Sequence, residues 1–333
     1  MIRVCLLGSG RMGQIHAANV AAHPEARLIC TVNPNVASAK KIAERYGGEA
    51  MGDAAEAIGN AKVDVVIIAT PTDTHLDYVG LAAKAGKPIL CEKPLELDQR
   101  RLEQCLATLD AHPVPCMLGF NRRFDPSVSA LRDAVAAGEV GEVGDLHLLL
   151  LTSRDPAPPP INYVKSSGGY FCDSTIHDLD LARWILGEEP GEVYATASCL
   201  VEPEIGAVGD VDTAMTVLRT PSGRLCHINN SRRAVYGFDQ RIEAFGSAGM
   251  IQSENQPEVQ LMRADADATS ARGRLKYFFL ERYAESFSLM LDAFVEAVSK
   301  DQVPSVTQED GKRALALALA CERSRRERKA VAP

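Results

Sequence analysis

A short apolar run over residues 2–7 leads straight into GSGRMG at 8–13, and this join of strand to glycine turn constrains the fold more than any other feature. Residues 12–22 then read as a helix and 27–32 as a second strand. The alternation continues: helix 37–46, strand 63–69 (the strongest in the chain), helix 74–85 stopped by Gly86, strand 89–91, helix 97–109 and strand 115–119. Continuous apolar strands separated by helices of ten or more residues require a parallel sheet covered on both faces. Right-handed crossovers then make the doubly wound Rossmann arrangement the economical choice.

Past Phe124 the rhythm changes. A helix is expected over 127–137, stopped by Gly138, and a strand over 143–151. DPAPPP at 155–160 reads as a rigid loop, because proline fixes φ and lacks a backbone donor. A helix over 173–186 precedes strands expected at 193–199, 213–220, 225–231, 239–246 and 259–262. Pro221, Ser222 and Gly223 suit a hairpin between two of these. Helices over 277–299 and 309–328 close the chain. Serial strands with helices set apart predict a C-terminal α+β domain on an open, mostly antiparallel sheet. The expected division is 1–122 and 123–333.

A formal charge of −8 argues against a nucleic-acid surface, and no run approaches the roughly 20 apolar residues that span a bilayer. Nine scattered cysteines without a CxxC pair suggest reduced thiols and a cytoplasmic protein, and the N-terminus lacks the layout of a secretion signal.

In GSGRMG, Gly8 permits a tight turn, Gly10 a close backbone approach, and Gly13 close packing of helix on strand. With Arg11 and Met12 opening the helix, this reads as a pyrophosphate cradle. The residue expected on the adenosine ribose is an acid at the end of the second strand, but Asn33 stands there. NAD is favoured, since no arginine follows to receive a 2′-phosphate; NADP stays open. Thr70 and Pro71 follow the central strand, and His75 at the start of the next helix is either a ligand or a cap. Glu92, Lys93 and Pro94 leave the fourth strand, well placed over a nicotinamide.

GGYFCDSTIHDLD at 168–180 holds the acid–base chemistry. In a helix Asp173 and His177 share one face, pairing a carboxylate with the side chain that titrates nearest neutrality. Asp178 and Asp180 suit structural ion pairs as well as substrate contact. No metal site is expected, because no second Cys/His group has ligand spacing. A GxxxxGK[ST] segment is absent, which tells against triphosphate chemistry.

GSGRMG, ATPTDTH at 69–75, AGKPILCEKPL at 85–95 and GGYFCDSTIHDLD together resemble the glucose-fructose oxidoreductase/inositol dehydrogenase/rhizopine catabolism family, nearest to its myo- and scyllo-inositol 2-dehydrogenases. The resemblance covers essentially the whole chain. It implies a homo-oligomer, with a tetramer favoured, and catalysis by Lys93, Asp173 and His177. Pro94 matches a position usually found with a cis peptide. GFNRRFD at 119–125 puts Arg122 at a substrate-proximal position. A substrate histidine of those enzymes is replaced near Ser153 or Arg154, while Tyr236 keeps a hydroxyl that Phe238 has lost. The expected reaction is oxidation of a secondary hydroxyl of a neutral cyclic polyol, with Lys93, Asp173 and His177 converging beside the nicotinamide. The alternatives are a sugar dehydrogenase or keto-sugar reductase and, from another class, a non-catalytic nucleotide-binding regulatory protein.

Overall fold

The computed structural model describes all residues except 143 and 144. The chain divides into two units, Met1–Asn121 with Ser286–Arg313, and Arg122–Glu285 with Ala314–Pro333. The first break falls between Asn121 and Arg122. Residues 123–333 do not form one continuous domain, however, because Ser286–Arg313 returns to the first unit. Its Val306 carbonyl accepts from the Leu118 amide at 3.1 Å, and Thr307 bridges Met117 at the sheet edge.

In chain order the first unit comprises β1 (Ile2–Leu7), α1 (Arg11–Ala22), β2 (Ala26–Val32), α2 (Val36–Tyr46), β3 (Glu49–Met51), α3 (Ala54–Gly59), β4 (Val65–Ile68), α4 (His75–Lys84), β5 (Ile89–Cys91), α5 (Gln99–Ala111) and β6 (Cys116–Leu118). Every strand pair in the order β3-β2-β1-β4-β5-β6 is parallel. The chain reverses direction across the sheet between β1 and β4, where folds of this kind open a ligand crevice. β4 is VVII, buried along its whole length; each such side chain contributes about 1.5–3 kcal/mol.

The second unit contains α6 (Pro126–Ala136), β7 (Leu146–Arg154), α7 (Ile161–Val164), α8 (Ile176–Leu186), β8 (Glu192–Ser198), β9 (Thr213–Arg219), β10 (Leu225–Ser231), β11 (Asp239–Gly246) and β12 (Gly249–Ser253). The start of the strand expected at 143 lies outside the described residues. Sheet order is β12-β11-β7-β10-β9-β8, antiparallel except where β10 runs parallel to β7. The strand expected at 259–262 is not formed; only Met262–Arg263 pairs there, with Ala271–Arg272, and β12 supplies the sheet edge instead. Likewise, 277–299 is two helices, Phe279–Arg282 and Ala284–Ser299. Tyr283 sits at the break, its ring edge-on to Phe238 and its hydroxyl 3.1 Å from Gln240 Oε1.

Among the described residues no disulfide is present. Among the described residues, no helix is long and apolar enough to cross a membrane, and no cluster of side chains could hold a metal ion.

Candidate active site

The glycine turn of the first unit has a fixed geometry. A Cβ on Gly8, whose φ is +100°, would lie 2.3 Å from the Ala69 carbonyl oxygen, and one on Gly13 would lie 2.2 Å from the Gly8 oxygen. Those two glycines let the β1 exit, the β4 exit and α1 touch. A Cβ on Gly10 would meet nothing within 4 Å. Packing therefore does not explain Gly10, whereas the approach of a pyrophosphate does. Gly10 caps α1 without a side-chain bond, and Arg11 and Met12 follow with no acid in the first turn. These residues fit a dinucleotide.

Asn33 ends β2, and its side-chain oxygen accepts from the Asn35 amide at 2.9 Å. That bond uses one lone pair of the carbonyl, so a ribose would meet a neutral amide here rather than a carboxylate. Thr70 accepts from the Thr74 hydroxyl at 2.8 Å, just ahead of exposed Pro71. His75 is 1% exposed, its Nδ1 lying 2.9 Å from the Pro94 carbonyl and its Nε2 3.0 Å from the Thr70 carbonyl. Burial holds its pKa below the usual imidazole value. It ties the β4 exit to the turn carrying Lys93, which is half-buried and joined to Pro94 by a cis peptide. Glu92 is buried against His16, Oε1 to Nε2 at 2.6 Å.

In the second unit, Gly168 and Gly169 both have positive φ (85° and 88°) and turn the chain into a π-helical stretch, Phe171–Thr175, that runs on into α8. The sequence predicts an ordinary helix here. Asp210 instead accepts from the Tyr170 amide at 3.0 Å, and one wide turn follows, a feature frequent at functional sites. Asp173 lies on that turn and is buried; His177 is half-buried in the first turn of α8. Asp173 Oδ1 accepts from the Tyr163 hydroxyl at 2.7 Å and Oδ2 from Arg232 Nη2 at 3.2 Å.

Beside it lies a second buried network. Strand register aligns Gln240, Ser153 and Asn230 in one row across β11, β7 and β10. Arg122 Nη1 donates to Asp178 Oδ1 at 2.8 Å, Gln240 Oε1 at 2.8 Å and Ser153 Oγ at 3.1 Å. Asn230 donates to the other Asp178 oxygen at 2.8 Å. Burial raises the Asp178 pKa, opposed by Arg122. Half-buried Asp155, just past β7, is pushed up to about 6 by burial, with Arg232 and Arg122 opposing and Asp173 and Asp178 adding to the shift.

Ser153 and Arg154 are successive strand residues, so their side chains leave opposite faces. Ser153 joins the Arg122 network. Arg154 bonds Asn229 Oδ1 at 2.8 Å and the Tyr236 hydroxyl at 3.1 Å, and Tyr236 donates to Asp239 at 2.6 Å. Within this unit Asp173 and His177 share one segment, Arg122 and Ser153 share the adjoining network, and Arg154 with Tyr236 forms a separate cluster. Asp180 is not free for a ligand: Arg123 grips it at 2.8 and 2.5 Å. Sequence reasoning missed Tyr163, Arg232, Asn230, Gln240, Asp155 and His16. The available signal was NNSRR at 229–233, a polar run where a central strand should alternate with apolar residues.

Comparison with known proteins agrees with this fold. Residues 2–120 match a family model described as an oxidoreductase family with an NAD-binding Rossmann fold, and residues 128–252 match the GFO/IDH/MocA C-terminal domain. An inositol 2-dehydrogenase of Rhizobium meliloti is 45% identical over 331 residues, 99% of this chain and 98% of the relative. The crystal structure of a myo-inositol dehydrogenase from Corynebacterium glutamicum superposes with a TM-score of 0.95 at 39% identity, covering 100% of this chain and 98% of that one. A scyllo-inositol dehydrogenase from Lactobacillus casei, solved with NAD(H) and scyllo-inositol, gives 0.91 at 28% identity, covering 100% and 99%. An NAD-binding Rossmann unit followed by a mixed-sheet domain, each matched by its family model, places this chain in the GFO/IDH/MocA family of oxidoreductases.

Proposed function

We propose that the protein is an inositol 2-dehydrogenase that oxidises a ring hydroxyl of myo- or scyllo-inositol to the ketone. The observation that carries this is the Asp173–His177 segment. It sets a carboxylate held by Tyr163 and Arg232 one helical turn from an imidazole, in a chain similar along its whole length to inositol dehydrogenases. Gly8, Gly10, Arg11, Met12, Gly13, Asn33, Thr70 and Pro71 hold NAD, with His75, Glu92 and Pro94 shaping the turn that carries Lys93. When bound, NAD supplies the hydride acceptor. His177 takes the hydroxyl proton as the general base. Asp173 orients the imidazole and favours the imidazolium; Lys93 donates to the reacting oxygen and stabilises its developing charge. Arg122 and Ser153 shape the wall that recognises the other hydroxyls, while Arg154 and Tyr236 belong to the separate cluster on the opposite face of β7. Steady-state rates with inositol isomers and pyranoses test the reading. Efficient oxidation of a pyranose with no turnover of any inositol overturns the substrate and leaves a sugar dehydrogenase.

Asn33 makes the preference for NAD moderate, with some use of NADP. Asn33→Asp keeps one oxygen for the Asn35 turn and presents the other as a charge that repels a 2′-phosphate. The NAD/NADP ratio of kcat/KM is expected to rise at least tenfold, about 1.4 kcal/mol of discrimination. An unchanged ratio means that another residue reads the ribose.

The protein works in the cytoplasm as a homo-oligomer, a tetramer. Support comes from the outer face of the second sheet, where Met250, Phe245, Leu148 and Leu225 follow one another across four strands, with Tyr194 and Val217 beside them, all exposed. A contiguous apolar face of this kind marks an association surface. The double variant Val217→Lys/Phe245→Glu is expected to lower the mass seen by light scattering to that of a smaller species; an unchanged mass contradicts this interface.

A further inference from the structure

The strength of a carboxylate–imidazole pair depends on what else the carboxylate binds. Here both Asp173 oxygens already accept a hydrogen bond. Tyr163, on α7 directly after the proline loop, reaches one from the solvent side; its residue is 49% exposed. Arg232 reaches the other from the interior. It is 2% exposed, its amide is fixed 2.8 Å from the Asp212 carbonyl, and its guanidinium lies 4.7 Å over the ring of buried Tyr170. So buried a cation must be matched by charge. The groups facing this pocket include Asp155 after β7, Asp173 and Asp178 on the helical segment, Asp212 just ahead of β9, Arg122 before α6, and the phenols of Tyr163 and Tyr170. Arg232 faces both Asp173 and Asp155, while Arg122, bonded to Asp178, also acts on Asp155.

We propose that Arg232 and Tyr163 are the positioning residues of the Asp173–His177 pair, holding the two carboxylate oxygens and limiting how strongly that carboxylate draws a proton onto His177. A carboxylate already shared with a guanidinium and a phenol stabilises an imidazolium less, so the imidazole stays a neutral base to lower pH. This rests on the reading of Asp173 and His177 as the acid–base pair.

The pH dependence of kcat at saturating NAD tests it in Arg232→Gln, Arg232→Lys and Tyr163→Phe. Turnover needs neutral imidazole, so kcat climbs an acid limb. Loss of the cation in Arg232→Gln favours the imidazolium and moves that limb to higher pH by about 1 unit, the low end for one nearby charge. Arg232→Lys keeps the charge and leaves the limb near its wild-type position. Tyr163→Phe moves it upward by a smaller amount, and NAD affinity stays constant throughout. Coincident limbs in Arg232→Gln and Tyr163→Phe overturn the proposal, as does a shift in Arg232→Lys equal to that in Arg232→Gln. Should Arg232→Gln not fold, Tyr163→Phe, which removes only the hydroxyl of a half-exposed residue, decides alone. His177→Ala separates the two failures: retained turnover refutes the acid–base reading, whereas lost turnover with unmoved limbs in the other variants refutes this inference only.

Discussion

His177→Ala is expected to lower kcat by about 10²–10⁴, the loss that follows removal of a general acid–base group. The hydroxyl must shed its proton as its carbon is oxidised, and water is a much poorer acceptor than an imidazole. Lys93→Ala is expected to fall within the same range, because the lysine stabilises charge that develops only as the proton leaves. Dissociation constants for NAD should stay within about threefold of wild type in both, under 0.7 kcal/mol, since neither side chain belongs to the glycine turn. The opposite pattern, near-normal kcat with lost NAD affinity, would transfer these residues from chemistry to cofactor binding.

The second large effect is on stability. Arg122→Ala is expected to cost about 3–5 kcal/mol, because it leaves the Asp178 carboxylate buried without its cation. Asn230 and Gln240 still approach Asp178, but neutral amides do not replace a guanidinium. Burial already raises the Asp178 pKa, and the variant raises it further. The folded variant then binds more protons than the unfolded chain between the ordinary carboxylate value and that raised value, so its stability falls as pH rises through this window. Urea midpoints at several pH values check both statements. A midpoint equal to wild type, or a deficit that shrinks as pH rises, would contradict them.

The parts legible in the sequence were those set by local rules. β1 and the glycine turn follow from an apolar run meeting three spaced glycines, and β10 and β11 keep the bounds expected for them. Short edge elements escaped. β3 is three half-exposed residues with no apolar pattern, although the Asp53 cap on the Glu56 amide ahead of α3 was a readable signal. β12 was missed because GMIQS has little periodicity, and the break at Tyr283 because tertiary contacts with Phe238 and Gln240 decide it. In the candidate site, the i, i+4 spacing of Asp173 and His177 is local and was legible. Arg232 is 59 residues from Asp173, and only strand register and the exit from β10 bring it there. The opposite-face placement of Ser153 and Arg154 likewise needed the bounds of β7.

Transfer of hydride from an inositol ring carbon as His177 takes the hydroxyl proton can be followed with myo-inositol deuterated at carbon 2. Turnover slower than with the protiated substrate is expected, with one deuterium recovered on the reduced nicotinamide per ketone formed. Reduced cofactor free of deuterium, or no reduction with any inositol, would contradict it.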